Sequence, residues 1–453
     1  MEIPERSFET LAARLTAATI LLAALIGCGG SAVTVGSTVP AILFSPIAST
    51  SVFLMSLDGQ GLHEWHTDYA PGYSVYLLPD GNLLRATSIP DRPFSALQGS
   101  NGGSAEMLDW NSTVVWRFDY ATTAGQQHHD VFWMPDSGHV LMVAWERHSA
   151  AEAIAAGRDA QTLPAEGELW VDKIVEVDPV TSQVVWEWRT WDHLLPPGAA
   201  ASGHPELVDP SFVATPSVDW THANAVFYNP ALNQVMLSVR NFSEFWIIDH
   251  STTTAQAAGH TGGKLGRGGD LVYRWGNPRA YGLDVPQQLY GQHNAQWIAS
   301  GLPGAGHILV FNNGDATARP HSTVVELVPP ARDDGSYVYD PATGYGPTGP
   351  VWQYTATPPE SFFAPIISGA QRLASGNTFV TSGPTGHFFE VTSDGQTVWS
   401  YDVTDTAGAT GYMVFRAVRY EPGFEGLSQD LLAPEGPLRI PAVTAGAPTI
   451  RSY

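Results

Sequence analysis

"HHDVFWMPDSGHVLMVAWE", residues 128–146, and "KIVEVDPVTSQVVWEWRTWDH", residues 173–193, decide the fold of this chain. Each consists of two short apolar runs joined by a turn rich in Pro, Asp, Ser or Gly, which is the pattern of a β-hairpin. Together they supply about four strands. The same unit recurs as "YSVYLLPDGNLLRATSI" with "AEMLDWNSTVVWRFDY" within residues 73–120, and as "HANAVFYNPALNQVMLSVR", "FWIIDHSTT" and "GGDLVYRWGNP" within 222–278. It recurs again as "HNAQWIASGLPGAGHILVFNNG", "STVVELV" and "GPVWQYT" within 293–355, and as "SGAQRLASGNTFVTSGP" and "HFFEVTSDGQTVWSYDVT" within 368–404. Repeats of roughly 40 to 65 residues, each of four strands, predict a β-propeller.

Those units account for five blades. "VFLMSLDGQGLHEWHT" (52–67) reads as the outer strands of a sixth and "GYMVFRAVRYEPGFEGL" (411–427) as its inner strand. The expected fold is therefore all-β, a six-bladed propeller whose last blade is closed by N- and C-terminal strands. Segments 150–168 and 196–218, rich in Gly and Pro, are expected to be loops over one mouth of the central channel.

The 453 residues are 43% hydrophobic and only 14% charged, enough apolar material for a large core and too much for a disordered chain. A formal net charge of −23 excludes nucleic acid as a partner, because neutralising phosphates needs clustered Lys and Arg. Arg6 and Arg14 precede an apolar run, Leu15 to Ile26, that is short for a membrane span and suits a signal peptide. The run ends in "LIGC", similar to a bacterial lipobox, and Cys28 is the single cysteine. The expected organisation is a lipoprotein leader over 1–28 ending at lipidated Cys28, a tether over 29–40, a propeller over 41–435 and a tail over 436–453. Localisation in the cell envelope follows, with a lipid anchor as the contact with membrane. Oligomeric state is left open.

The first strand of each propeller blade lines the channel, so residues at its start face one another across the axis. His129, His222 and His293 occupy that region of three blades; Ser368 and Arg416 stand at the corresponding places of two others. Alternation along the strand, with the two segments aligned on their prolines, puts His129 opposite Asn224 and on the channel face, and turns His128 away, unless a bulge intervenes. Arg240 ends an apolar strand and reads either as an anion fork or as one half of a salt bridge with Glu244. No metal is expected among the channel histidines: HxH and HExxH spacings are lacking, and Arg240 would repel a dication. No cofactor is expected either, since no phosphate-cradling glycine loop is present. Trp220, Trp275, Trp297 and Phe311 read either as packing between blades or as a sandwich for an aromatic ring.

These stretches, together with "DWTHANAVFYNPALNQVMLSVRNFSEFWIID", "GGDLVYRWGNPRAYG", "QHNAQWIASG" and "FRAVRYEPGFEGL", resemble the bacterial arylsulfate sulfotransferases over about residues 70 to 425. The resemblance implies a six-bladed propeller that moves a sulfuryl group from a phenolic sulfate ester to a phenol, without a nucleotide sulfate donor. It implies that His293 is the nucleophile and is transiently sulfated, with His222, Asn224, Arg240 and His129 or His128 holding the sulfate, and Ser368 as a later-blade hydroxyl. Family members also carry a dimerising N-terminal domain, for which the chain leaves no room after the tether, and a disulfide that one cysteine cannot form. The other readings are a non-catalytic envelope propeller and an aryl sulfate hydrolase.

Overall fold

In a computed structural model, described for residues 39–94, 101–214, 216–406, 408–427, 432 and 436–441, the chain folds into six four-stranded antiparallel sheets arranged as a β-propeller. The described residues all belong to one unit, Val35–Tyr453. The leader, Cys28, nearly all of the tether and most of the tail lie outside them. Among the described residues, no helix is long and apolar enough to cross a membrane.

The first blade comprises Pro71–Leu77, Leu83–Ser88, Gly103–Leu108 and Val114–Asp119; the second, Gly125–Trp133, Val140–Ser149, Glu168–Asp178 and Gln183–Arg189. The third comprises Ala223–Asn229, Gln234–Val239, Glu244–Asp249 and Leu271–Trp275; the fourth, His293–Trp297, Ile308–Asn312, Thr323–Leu327 and Trp352–Thr355. Gly369–Arg372, Thr378–Ser382, His387–Val391 and Thr397–Asp402 form the fifth. In the sixth sheet Val418–Tyr420 pairs with Ala41–Phe44, followed by Ser51–Ser56 and Gly61–His66, so the N-terminal region supplies three strands. Described residues beyond 435 also bridge to the ring, Pro437 to Gln60 of this blade and Ile440 to Asp405, just past the outer strand of the fifth.

Blades stack face to face, so the middle strands are covered on both sides and read as continuous apolar runs. Ile308–Asn312 ("ILVFN") and Gln234–Val239 ("QVMLSV") are buried throughout, whereas the outer strands Val114–Asp119 and Thr397–Asp402 are largely exposed. Trp65, Trp145, Trp170, Trp188 and Trp246 are among the largest fully buried side chains. Trp220 packs on Phe242, Phe311 on Phe362, and Trp297 sits in the cluster between the third and fourth blades. Trp275 lines a cavity of about 230 Å³ with Tyr281, Pro286 and Tyr345, which none of the channel histidines reaches. All four aromatics thus pack between elements.

Segment 150–168 contains a short helix, Ala150–Ala155, at the tip of a long hairpin formed by Val140–Ser149 and Glu168–Asp178. Segment 196–218 returns along that hairpin. The Trp170 amide donates to the Val218 carbonyl at 2.6 Å, and the Trp220 amide to the Trp170 carbonyl at 3.0 Å. This seam delivers the next residues, Asp219 to His222, to the channel.

Candidate active site

At the start of their inner strands the first five blades place Tyr73, His129, His222, Asn294 and Ser368, all with φ between +52° and +111°. Four of the five inner strands have a register shift there. A left-handed residue without glycine is uncommon, and Asn and His are among those that tolerate it. The bulge aims each side chain where strand alternation would not. It also corrects the register read from the prolines: His129 (φ 54°) matches His222 (φ 52°), rather than Asn224, as the left-handed residue of its blade.

His129 and His222 are neighbours, with ring centroids 4.8 Å apart. Tyr73 and Phe415 flank His129 at 4.8 and 5.9 Å, and Phe415 lies 6.4 Å from His293. These two aromatics close to the histidines were not singled out in the sequence, because nothing local distinguishes them from core residues.

Each of the three histidines is held through Nδ1. His293 Nδ1 lies 2.8 Å from Asn313 Oδ1 and 3.2 Å from the Gly291 carbonyl. The Asn313 Nδ2 donates to the carbonyls of Ala364 and Ile367, which fixes that amide's orientation, so its Oδ1 must accept and His293 Nδ1 must carry the proton. His222 Nδ1 lies 2.6 Å from Asp219 Oδ2, and Trp145 donates to the other carboxylate oxygen at 3.0 Å.

His129 is held through a second imidazole. Asp172 Oδ1 accepts from His128 Nε2 at 2.7 Å, which leaves His128 Nδ1 as an acceptor for His129 Nδ1, also at 2.7 Å. Ring stacking on Trp145, 3.7 Å between centroids, keeps His128 behind His129 and out of the channel. The outcome for each ring in its neutral form is the same: Nε2 carries the lone pair that is left over.

Burial, then the charge of Arg240 and the proximity of His222, holds His293 well below the ordinary histidine range. His129 is lowered well below it too, by burial first and then by His222, His128, His293 and Arg240. Both are therefore neutral near pH 7. Burial alone would raise Asp219, but His222 outweighs it and the carboxyl is lowered.

Arg240 opens a 3₁₀ turn, Arg240–Phe242, after its strand; its Nη1 donates to Asn241 Oδ1 at 3.1 Å. Glu244 is not its partner, because that carboxylate is taken by the fully buried Arg274. Asn224 is buried, and its Nδ2 donates to the Gln292 carbonyl at 2.8 Å, tying the third blade to the peptide that precedes His293. Its Oδ1 is buried without a hydrogen bond.

Ser368 and Arg416 have other engagements. The Ser368 hydroxyl donates to the Ile366 carbonyl and accepts from the Gly383 amide beyond the next strand, so its one proton is spent inside the blade. Arg416 Nη2 donates to Asp130 at 2.8 Å and to the Tyr76 hydroxyl, which itself donates to Asp130 at 2.9 Å. Asp130 also accepts from the amides of Val131 and Val226. This ion pair ties the first three blades to the closing segment. Beside it Gly369 has to be glycine, since a Cβ there would sit 2.7 Å from Asn294 Oδ1 and 2.9 Å from Arg416 Cδ.

Three neutral-capable imidazoles with free lone pairs and a guanidinium suit transfer of an anionic group, with the guanidinium drawing the anion and an imidazole attacking it. Among solved structures the chain is similar to a protein of unknown function from Bacteroides caccae (12% identity, covering 84% of this chain and 98% of that one, TM-score 0.47). It is also similar to a functionally unknown protein from Desulfotomaculum acetoxidans (9%, 84% and 99%, TM-score 0.42) and to virginiamycin B lyase from Staphylococcus aureus (8%, 74% and 70%, TM-score 0.34). Likeness at this level carries no functional argument. No curated protein sequence matches the chain. The arylsulfotransferase (ASST) family profile matches residues 114–414, a span that holds His128, His129, His222, Asn224, Arg240, His293 and Ser368, and the chain belongs to that family.

Proposed function

We propose that this arylsulfotransferase moves a sulfuryl group from an aryl sulfate to a phenol through a sulfated His293. The observation that carries the reading is the fixed tautomer of His293: with Nδ1–H committed to Asn313, a neutral Nε2 lone pair is available beside Arg240. In the first half-reaction Nε2 attacks sulfur in line, the N–S bond forms, and the S–O bond breaks with its electron pair leaving on the phenolate oxygen. Arg240 neutralises the sulfuryl oxygens, on which charge spreads in the transition state.

His222, backed by Asp219, has the carboxylate–imidazole arrangement of a proton carrier; entering the cycle as the imidazolium, it gives its Nε2 proton to the departing oxygen and is left neutral. In the second half-reaction it takes the proton of the incoming phenol, whose oxygen attacks the sulfur and frees His293. His129, neutral and held by the His128–Asp172 chain, accepts a hydrogen bond from either phenol. Cys28 is proposed as the lipid attachment point that holds the enzyme in the envelope.

The test is intact-protein mass spectrometry after mixing the chain with an aryl sulfate and no acceptor. One added sulfuryl group in the wild type, absent in His293→Ala and discharged by phenol, is the expected result. Phenol release without an adduct would point to hydrolysis, and neither adduct nor release to a non-catalytic propeller.

A further inference from the structure

His193, His260 and Asp270 meet where the outer strands of the second and third blades lie side by side, and one ligand atom of each lies within 4.8 Å of the others. His193 closes the 3₁₀ turn Thr190–His193 that follows the outer strand of the second blade. Asp270 immediately precedes the outer strand of the third, Leu271–Trp275. His193 Nδ1 and His260 Nδ1 both face Asp270 Oδ1, at 2.9 and 2.7 Å.

The second nitrogen of His193 decides what this cluster can hold. Nε2 lies 2.8 Å from the carbonyl of Ala257, which only accepts, so Nε2 carries the proton. In a neutral ring, Nδ1 then presents a lone pair to a carboxylate lone pair at 2.9 Å. Two facing lone pairs need a cation. An imidazole whose remote N–H donates to a backbone carbonyl is the arrangement that orients metal-bound histidines.

The surroundings fix that orientation. Trp188 lies parallel to the His193 ring, 3° between planes, and its Nε1 donates to the Gly269 carbonyl at 2.7 Å. A Cβ at Gly269 would lie 2.0 Å from the Ala257 oxygen and 2.6 Å from His193 Nε2, so only glycine lets this carbonyl reach the ring. The Gly269 amide in turn donates to the Gly259 carbonyl, closing the loop that presents His260 and Asp270 from its two ends. The His193 side chain is fully buried, while that of His260 is 58% exposed and leaves the cluster open to solvent.

We propose that His193 Nδ1, His260 Nδ1 and Asp270 Oδ1 form a divalent-cation site of the zinc class, with water in the fourth position, which pins the 254–270 insertion of the third blade to the second blade. Two imidazole nitrogens and one carboxylate oxygen are a zinc donor set. Metal bonds of about 2.0–2.1 Å set tetrahedral neighbours about 3.3 Å apart. The two spacings to Asp270 Oδ1, 2.9 and 2.7 Å, therefore open by about half an ångström around the ion. The exposed His260 is free to swing by that much. The site stands apart from the channel and is independent of the sulfotransferase reading.

The test loads the chelator-treated full-length chain with zinc chloride and reads bound metal after desalting together with the melting temperature. Wild type and the channel variant His222→Ala are expected to hold one zinc per chain and to melt higher with it. His260→Ala, at an exposed position that folding tolerates, and Asp270→Asn are expected to bind at least about tenfold more weakly, with a melt that zinc leaves unchanged. The proposal is overturned if the wild type takes up no zinc, in which case the cation there is a proton. It is overturned equally if His260→Ala and Asp270→Asn keep their zinc, or if His222→Ala loses it.

Discussion

Asn313 Oδ1 lies 2.8 Å from Nδ1 of His293, and the amide that bears it cannot flip, because two carbonyls hold its nitrogen. The tautomer of the proposed nucleophile is thus set by a residue twenty positions downstream. Asn313→Ala removes three side-chain hydrogen bonds, of which the one to His293 is worth about 1 kcal/mol or somewhat more, and leaves only the 3.2 Å contact with the Gly291 carbonyl to orient the ring. The expected result is a fall in kcat of about tenfold or more, with KM for the aryl sulfate little changed. A merely structural Asn313 would lower the melting temperature and leave kcat per folded molecule intact.

The Asp172–His128–His129 chain makes a separate prediction. Asp172→Asn can donate to His128 and reverse its tautomer, so that two N–H groups face each other between His128 and His129. His129 relieves that clash by moving its proton from Nδ1 to Nε2, and the acceptor phenol then loses its hydrogen-bond acceptor. Single-turnover kinetics are expected to show a slowed phenol-dependent discharge, with formation of the adduct less affected. Equal slowing of both half-reactions would remove His129 from the acceptor side.

Arg240 lowers the pKa of His293, after burial, by its charge. Removing that charge in Arg240→Gln raises the pKa, so protonation sets in at higher pH. Sulfation of His293 by an aryl sulfate should therefore lose its acid limb toward neutral pH in the variant, while the wild type stays active well below about 6.5, the ordinary histidine value. Arg240→Lys keeps the charge but not the fork. It is expected to keep the wild-type acid limb while losing kcat.

The same lowered histidines couple folding to pH. A histidine whose folded pKa lies below its unfolded value binds fewer protons when folded, so stability rises with pH through that interval. For His129 and His293 the penalty is absent above about 6.5 and grows as the pH falls below it. Denaturant melts are expected to show the midpoint falling between neutral pH and pH 5 by less in the double variant His129→Ala, His293→Ala than in the wild type.

Asp130 is a different kind of residue, holding the ring closed rather than acting on substrate. It collects hydrogen bonds from Tyr76, Arg416 and the amides of Val131 and Val226. Asp130→Ala leaves Arg416 buried and unpaired, at a cost of about 3–5 kcal/mol. A melting temperature within a degree or two of wild type would contradict that role.

The blades were legible in the sequence because their information is local. Hairpin turns such as "PDGN" (79–82) and apolar runs such as "ILVF" (308–311) recur at a fixed spacing, and each can be read without knowing what it packs against. His129 and His222 stand at the same place in their blades, as the repeat implied, whereas in the fourth blade Asn294 holds that place and His293 stands one position before it. The partners of these histidines were not legible in the repeat. Asp172 lies 44 residues from His128, and nothing along the chain marks it as the one carboxylate behind that ring. Ser368 reads as a channel hydroxyl by its place in the repeat, and nothing along the chain shows that its proton goes to the Ile366 carbonyl.

Periodicity and turn chemistry by themselves determined a six-bladed propeller and the set of blades that bring His129, His222, Arg240 and His293 to one place, because both are properties of short segments repeated in order. Which nitrogen of each imidazole is left to react, and which charges are already spent, as Arg416 is on Asp130 and Glu244 on Arg274, was decided by the tertiary structure. Those outcomes depend on donors and acceptors meeting at about 3 Å across blades that the chain connects only over tens to hundreds of residues.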